Sequence, residues 1–128
     1  MCAYNYYCGY HSFIAQNSQN LPIIYAVLPY GVPSVCSTTL NSPNSDVAAD
    51  TVASVASHEI TEAITDPFPG STPAWITSAG LEIGDLCAYQ YGNNDWKAGT
   101  ANQMWNGNFY EIQMEYSNHA SACVQLGP

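Results

Sequence analysis

Apolar positions recur with helical spacing over one long stretch of the chain, residues 46–65. At about 100° per residue, apolar residues fall on one arc of this helix and polar residues on the opposite arc. The apolar arc contains Val52, Val55, Ala56, Ile60 and Ala63, and the polar arc contains Asp50, Ser54, Ser57 and Thr61. Asn44 or Ser45 can cap the first turn, and Pro67 excludes helical geometry at the residue before it. The pattern predicts an amphipathic helix that packs on the core through its apolar arc.

Outside that helix, short strand-like segments alternate with turns. Residues 7–15 and 21–30 are rich in β-branched and aromatic residues and predict two strands. Residues 81–91 predict a further short strand, and residues 106–116 predict a hairpin closed by an Asn-Gly turn. A chain of 128 residues has the length of one domain, residues 1–128. We expect an α+β fold in which one long helix packs on a small, mostly antiparallel sheet.

The charge balance excludes two classes of partner. Charged residues make up only 9% of the sequence, the formal net charge is −9, and Lys97 is the single lysine or arginine. A nucleic-acid backbone and an anionic membrane surface both attract Lys and Arg, so we expect this chain to bind neither. No stretch reaches the roughly 20 apolar residues of a membrane span. A surface built mainly from neutral polar residues is more common outside cells than in the cytosol.

Five cysteines are many for this length, and none forms a CxxC pair. Disulfide bonds in an oxidising compartment are therefore expected rather than a thiolate metal site. The odd count leaves one thiol over, either free or bonded to a cysteine elsewhere. The first ten residues have neither the basic nor the apolar region of a signal peptide. We expect the chain to lie inside a longer secreted precursor.

Three titratable residues lie on or beside the apolar arc of the predicted helix. Glu59 projects into the arc, and His58 and Glu62 stand one turn apart at its edge. A carboxylate on a core-facing surface is costly without a partner, and Lys97 can serve one acid at most. In zinc hydrolases, ligands at i and i+4 of one helix hold the metal, and the glutamate after the first ligand is the general base. The HExxE pattern predicts His58 and Glu62 as metal ligands and Glu59 as the catalytic base.

A third ligand has to come from outside the helix. The EIGD segment offers two acids, of which we favour Asp85 as the ligand and Glu82 as an alternative or an orienting group. His11 and His119 are alternative candidates for the third ligand. Asp66 can hydrogen-bond to a metal ligand without binding the metal itself. The ligand types suit zinc and are also compatible with Ca²⁺ or Mn²⁺. In the alternative interpretation the helix phase is wrong by one position, so that the acids face solvent and the two lone histidines are structural.

Several segments resemble the Exordium or phosphate-induced family of secreted plant and microbial proteins. They are CGYH at 8–11, PNSDVAADTVASVASHEITEAITDP at 43–67, Trp75, EIGDLCAYQYG at 82–92, and NGNFYEIQMEYSNHASACV at 106–124. HExxExxTDP and EIGDLC are each short patterns, but their combination in this order is specific. The resemblance covers most of residues 8–124.

The resemblance implies a secreted protein with roughly as much sequence again before this point, so that the chain corresponds to a C-terminal half. It implies the disulfide bonds Cys87–Cys123 and Cys8–Cys36, leaving Cys2 over, with Cys2–Cys8 as the rival pairing. Plant members are linked to growth and extracellular signalling. The zincin-like motif suggests a zincin-like, disulfide-bonded version of the α+β fold with metallopeptidase chemistry.

The first functional hypothesis is a secreted metal-dependent hydrolase, resembling a zinc metallopeptidase, that acts on a peptide or cell-wall polymer. The alternative is a non-catalytic cell-wall protein, in which the same residues hold a structural ion and some of the ten tyrosines contact carbohydrate or protein. A third hypothesis pairs Glu59 with Asp85 in glycoside cleavage, which leaves His58 without a task. The sequence predicts neither the substrate nor the oligomeric state.

Overall fold

The structure, a computed structural model, describes residues 3, 5–15, 18–19, 21–30, 33–36, 41–72 and 74–126. In these residues one long helix is accompanied by a short helix and six strands. In chain order they are β1 (Tyr10–Ile14), β2 (Ile23–Val27), α1 (Pro33–Cys36), α2 (Val47–Thr65), β3 (Gln103–Trp105), β4 (Asn108–Tyr110), β5 (Glu115–Ser117) and β6 (Ala122–Val124). Two 3₁₀ turns, Asp85–Cys87 and Lys97–Gly99, lie between α2 and β3. The α+β class predicted from the sequence is confirmed.

The ends of α2 follow from local chemistry. Asp46 is the N-cap, because its side chain accepts a hydrogen bond from the amide of the third helical residue. The prediction of Asn44 or Ser45 as the cap was wrong, and Ser45 instead adopts a positive φ of 59° just before the cap. The helix ends at Thr65, as predicted, because Asp66 precedes a proline and leaves helical geometry.

The buried face of α2 is mainly polar. It consists of Asp50, Thr51, Ser54, Val55, Glu59 and Glu62. The prediction that the apolar arc faces the core was wrong, because Ile60 is 56% exposed while Asp50 and Ser54 are buried. Asp50 accepts hydrogen bonds from Ser42 and Asn44, which offset the cost of removing its carboxylate from water. Polar partners, rather than apolar positions, thus set the rotation of the helix. Glu59 nonetheless points inward, as predicted.

The strands form three two-stranded antiparallel sheets within the described ranges. β1 pairs with β2, with His11 opposite Ala26, and this hairpin packs against α2. β3 and β4 form the predicted hairpin, in which Asn106 and Gly107 both have positive φ, as tight two-residue turns require. β5 pairs with β6. In place of the single small sheet that was predicted, each sheet joins two strands that are neighbours in sequence.

Residues 81–91 do not form the predicted strand. Two successive amides at the end of the Asp85–Cys87 turn donate to carbonyls three residues earlier, so the chain winds tightly instead of extending. The amide of Tyr116 donates to the carbonyl of Ile83 and holds this segment from the β5 side. The compact turn places Asp85 beside α2, where its amide donates to Glu62 Oε1.

Two disulfide bonds, Cys8–Cys36 and Cys87–Cys123, connect the short elements. The first joins the segment before β1 to α1, and the second joins the 3₁₀ turn at Asp85–Cys87 to β6. Their sequence separations are 28 and 36 residues. Loop closure of this length stabilises a fold by roughly 3–4 kcal/mol per bond. Both pairings are those that the family resemblance implies, so the rival Cys2–Cys8 was wrong. Cys2 itself lies outside the described residues.

The described interior relies on hydrogen bonds as much as on apolar packing. Its buried apolar residues are Cys36, Val55, Ile83, Cys87, Tyr91 and Ala101. A larger set of polar and charged residues is equally buried. These are His11, Asp50, Thr51, Ser54, Glu59, Glu62, Asp66, Asn102, Glu111 and Gln113. Asn102 is representative, because its side chain donates to two carbonyls and accepts from the amide of Ile112. The fold can therefore bury carboxylates where it supplies partners for them.

Candidate metal centre

Titratable side chains converge in a cleft of about 580 Å³. One comes from β1, three from the second half of α2, and two from the segment that leads into the Asp85–Cys87 turn. We name these residues the histidine–carboxylate cluster: His11, His58, Glu59, Glu62, Glu82 and Asp85. Four tyrosines also line the cleft: Tyr6, Tyr7, Tyr10 and Tyr89.

Two glycines allow the backbone to lie directly against the cluster. A Cβ atom on Gly9 would lie 2.5 Å from a methyl of Val55 and 2.7 Å from Glu59 Oε1. A Cβ atom on Gly84 would lie 2.6 Å from His58 Nδ1 and 2.9 Å from Glu62 Oε1. Such separations are far inside van der Waals contact, so only glycine fits at either position without a shift. This close approach brings β1 and the EIGD segment to the same stretch of α2.

The three predicted ligands lie together. His58 Nε2 is 3.2 Å from Glu62 Oε1 and 3.9 Å from Asp85 Oδ1. One ligand atom of each residue lies within 4.8 Å of those of the other two, a spacing that one cation can span. The amide of Asp85 also donates to Glu62 Oε1 at 3.1 Å, which orients that carboxylate. Glu62 is buried, whereas the Asp85 side chain is 40% exposed, so this group opens toward solvent.

His11 lies at the centre of the cluster, although the sequence marks it only as a reserve. Its side chain is 3% exposed, and its Nε2 is 3.0 Å from the carbonyl oxygen of Asp66. Because a carbonyl can only accept, this bond assigns a proton to Nε2. Nδ1 then faces Glu59 Oε2 at 3.5 Å and Glu62 Oε2 at 3.8 Å. The Nδ1 lone pair and these two carboxylate oxygens are all acceptors, so either a second proton or a cation has to lie between them.

The remaining candidate residues divide between the cluster and its surroundings. Glu82 joins His11 and Glu62 in a second group of three, with ligand atoms again within 4.8 Å of one another. Asp66 holds His11 through its backbone carbonyl, while its carboxylate accepts from the amide of Ala74 at 3.3 Å. His119 is exposed in the turn between β5 and β6 and belongs to neither group.

The crowding of charge alters the pKa of several members. Burial alone would lower the pKa of His58, but its hydrogen bond to Glu62 and the nearby negative charges raise it to about 9. Burial raises the pKa of Glu59, and burial with repulsion from Glu62 raises the pKa of Glu82 to about 7. Each shift favours the proton-bearing form. A metal ion that binds here would therefore displace protons.

Glu115 in β5 is the residue that sequence reasoning missed. Both of its carboxylate oxygens are buried without a hydrogen-bond partner among the described residues. Burial raises its pKa to about 8, against the attraction of His58 and with repulsion from Glu62 and Asp85. The available signal was an acid inside a predicted strand of a chain that has one basic residue. Glu115 adds a fifth carboxyl to the electrostatics of the cluster.

Lys97 does not neutralise these acids. Its ammonium donates to the carbonyl of Pro43 and lies 5.6 Å from the centre of the Phe109 ring. The chain has no other lysine or arginine. Apart from its own two histidines, the cluster therefore has no positive side chain to compensate Glu59, Glu62, Glu82, Asp85 and Glu115.

Fold and site together define a disulfide-bonded α+β domain with an open cleft built around histidines and carboxylates. The chain belongs to the phosphate-induced protein 1 family, because residues 4–119 match its conserved region. It is 30% identical over 147 residues to protein EXORDIUM-like 3 of Arabidopsis thaliana, a match that covers 91% of this chain and 43% of that protein. The chain thus spans less than half the length of this relative. No solved structure gives a significant match.

The family predicted from the sequence is confirmed. The two disulfide bonds and the similarity to EXORDIUM-like 3 are consistent with a secreted protein. Within the described ranges, none of the helices combines the length and apolarity needed to cross a bilayer.

Proposed function

We propose that this chain is a secreted metal-dependent hydrolase in which His58, Glu62 and Asp85 hold a divalent ion and Glu59 is the catalytic base. One observation carries the proposal. Two histidines and four carboxylates converge in an open cleft, and the single lysine of the chain is engaged elsewhere. A cation is a partner that suits such a set of side chains.

The donor set fits a zinc ion. Imidazole and carboxylate are common zinc ligands, and three protein ligands beside an open position are typical of catalytic sites. The arrangement is zincin-like in that His58 and Glu62 occupy i and i+4 of one helix, with Glu62 where the second histidine usually stands. The excess of carboxylates also suits Mn²⁺ or Ca²⁺, so the metal has to be identified by measurement.

The other residues have separate tasks in this proposal. Zinc bound at this position would polarise a carbonyl oxygen and lower the pKa of a water to about 7. Glu59 accepts the proton of the attacking water, and its buried position raises its pKa toward the range that a general base needs. His11 Nδ1 lies 3.5 Å from Glu59 Oε2, so the imidazole is the immediate neighbour of that carboxylate. The exposed side of the cleft admits a peptide or cell-wall polymer.

Metal analysis combined with Glu59→Gln tests the proposal. Purified protein loaded with zinc and dialysed should retain the ion, and it should cleave members of a fluorogenic peptide library or soluble cell-wall fragments. Glu59→Gln should retain zinc but lose turnover by about 10²–10⁴-fold, because it removes the base without removing a ligand. Asp95→Asn is a matched control, since it removes one exposed negative charge outside the cluster. It should change neither zinc retention nor turnover. Zinc-free protein after loading would contradict the proposal.

The tyrosines of the cleft favour a second candidate function. Tyr6 is 72% exposed, and Tyr10 and Tyr89 are 39% and 41% exposed, so aromatic faces are available beside the cluster. Tyrosine rings combine an apolar face with a polar hydroxyl, which suits contacts at an interface with a polar polymer. In this version the ion is structural and the protein binds a cell-wall polymer without cleaving it. Retained zinc with no turnover in the unsubstituted protein would favour this second function.

A further inference from the structure

The two carboxylate oxygens of Glu62 face two different groups of neighbouring residues. Oε1 is 3.2 Å from His58 Nε2 and accepts the amide of Asp85 at 3.1 Å. Oε2 is 3.8 Å from His11 Nδ1. The two three-residue groups, His58–Glu62–Asp85 and His11–Glu62–Glu82, therefore share this one carboxylate. A carboxylate with each oxygen turned to a separate group has the placement of a ligand that bridges two metal ions.

We infer that the cluster holds a second divalent ion at His11, Glu62 and Glu82, so that Glu62 bridges an inner and an outer position. The inference rests on the proposed function, which supplies the outer ion at His58, Glu62 and Asp85. His11 lies between the other two ligands of the inner position, because its Nε2 is 3.5 Å from Glu82 Oε1 and its Nδ1 is 3.8 Å from Glu62 Oε2. Bridged ions in hydrolytic sites lie about 3.5–4 Å apart, which the two oxygens of one carboxylate can span.

Independent observations point to a ligand at the inner position. The His11 side chain is 97% buried, and its Nδ1 lies 3.5 Å from Glu59 Oε2 and 3.8 Å from Glu62 Oε2. Glu82 Oε1 is also buried and has no hydrogen-bond partner in the described part of the chain. An ion on the outer group alone would leave this arrangement of acceptors unchanged.

The two positions differ in access to solvent. The inner position involves the buried His11 and Glu62, whereas Asp85 of the outer position is 40% exposed. The inner ion should therefore exchange slowly and the outer ion quickly. When the chelator concentration is raised in steps, metal release should therefore occur in two stages. The outer ion should leave in the first stage and the inner ion in the second.

Metal stoichiometry tests the inference. The unsubstituted chain, loaded with Mn²⁺ or Zn²⁺ and desalted, should retain two ions per chain by plasma mass spectrometry. The Mn²⁺-loaded protein should show an exchange-coupled electron paramagnetic resonance signal, which requires two ions that share a bridging ligand. Glu82→Gln should retain one ion and lose the coupled signal. Asp85→Asn should also retain one ion, and Glu62→Gln should retain none. Asp95→Asn should match the unsubstituted chain.

The outcomes separate this inference from the proposed function. One ion per chain, unchanged in Glu82→Gln and lost in Asp85→Asn, would overturn the inner position and leave the proposed hydrolase intact. No retained ion in the unsubstituted chain would overturn both. Two ions without magnetic coupling would contradict the bridge by Glu62. The first measurement needs no variant, so a substitution that impairs folding does not prevent the test.

Discussion

The two halves of α2 both bury carboxylates, but they surround them differently. At the start of the helix, Asp50 accepts from the hydroxyl of Ser42 at 2.5 Å and the side-chain amide of Asn44 at 2.6 Å. Glu111 nearby accepts from the side chains of Asn41 at 2.8 Å and Asn94 at 2.5 Å. These acids are satisfied by neutral donors, so they need no counter-ion and have a structural role.

Around the second half of α2, the described residues place histidines beside the acids instead of asparagine or serine side chains. Glu62 accepts the amide of Asp85 and lies 3.2 Å from His58 Nε2, and Glu59 and Glu82 lie 3.5 Å from nitrogens of His11. Glu115 has no hydrogen-bond partner for either oxygen within the described ranges. The same helix thus shows that this fold can satisfy a buried acid with asparagine and serine side chains. Around the second half of the helix, the proposed metal ion takes the place of such partners.

The largest effect should come from removing an acid in the satisfied half. Asp50→Ala leaves Ser42 and Asn44 without their acceptor and should lower the free energy of unfolding by about 3 kcal/mol. Urea unfolding of the chain with and without the substitution, both in chelator, measures this. An unchanged midpoint would show that the hydrogen bonds to Asp50 contribute little, and would weaken the contrast between the two halves.

The pH dependence of the metal-free protein should come from the other half. The pKa of His58 rises from 6.5 unfolded to about 9 folded, so its contribution is full below pH 6.5 and disappears as pH rises through 9. The pKa of Glu115 rises from 4.5 to about 8, so its protonated form favours folding below pH 4.5 and this contribution is lost as pH rises through 8. Both signs agree.

Stability of the chelated protein should therefore fall between about pH 5 and pH 9, as measured by urea midpoints at pH 5, 7 and 9. Saturating zinc should reduce or reverse this slope, because metal binding releases protons and strengthens as pH rises. Stability that increases with pH in chelator would contradict the assignment of unsatisfied charge to this half of the helix.

Glu115→Gln should have the opposite sign to Asp50→Ala. The substitution removes a buried, unpartnered charge, so at pH 9 in chelator it should stabilise the fold by about 1 kcal/mol. The gain should shrink at pH 5, where the carboxyl already carries a proton. Thermal unfolding at the two pH values measures the difference. Destabilisation at pH 9 would mean that Glu115 has a partner, and that the two halves are more alike than proposed.

The smallest effect is expected on the outer face of α2. Ile60 is 56% exposed, so Ile60→Ser should change the free energy of unfolding by no more than about 0.5 kcal/mol. Val55→Ala, on the buried face, is the matched comparison and should be clearly destabilising. Equal losses at the two positions would show that the polar face is not the buried one.

Local spacing explains what the sequence predicted correctly. The extent of α2, the hairpin turn at Asn106 and Gly107, and the inward direction of Glu59 all depend on residues close in sequence. The meeting of His58 with Glu62 follows from the i, i+4 geometry of a helix. The approach of Asp85 was inferred from chemistry alone, since residues 81–91 form no strand and contain the 3₁₀ turn Asp85–Cys87.

Long-range contacts explain what the sequence did not predict. His11 reaches the cluster because β1 packs on α2 and Cys8 bonds to Cys36, neither of which follows from the spacing of residues. Glu115 reaches it because β5 is bonded to the carbonyl of Ile83. The rotation of α2 was also mispredicted, since its buried face is chosen by partners such as Asn44 rather than by hydrophobicity.

The most direct test is anomalous diffraction at the zinc absorption edge from crystals grown with excess zinc. The proposed site predicts a strong peak within bonding distance of His58 Nε2, a carboxylate oxygen of Glu62 and one of Asp85. Crystals that show no anomalous peak in the cluster, with these three side chains directed into solvent, would contradict the metal site and the hydrolase proposal with it.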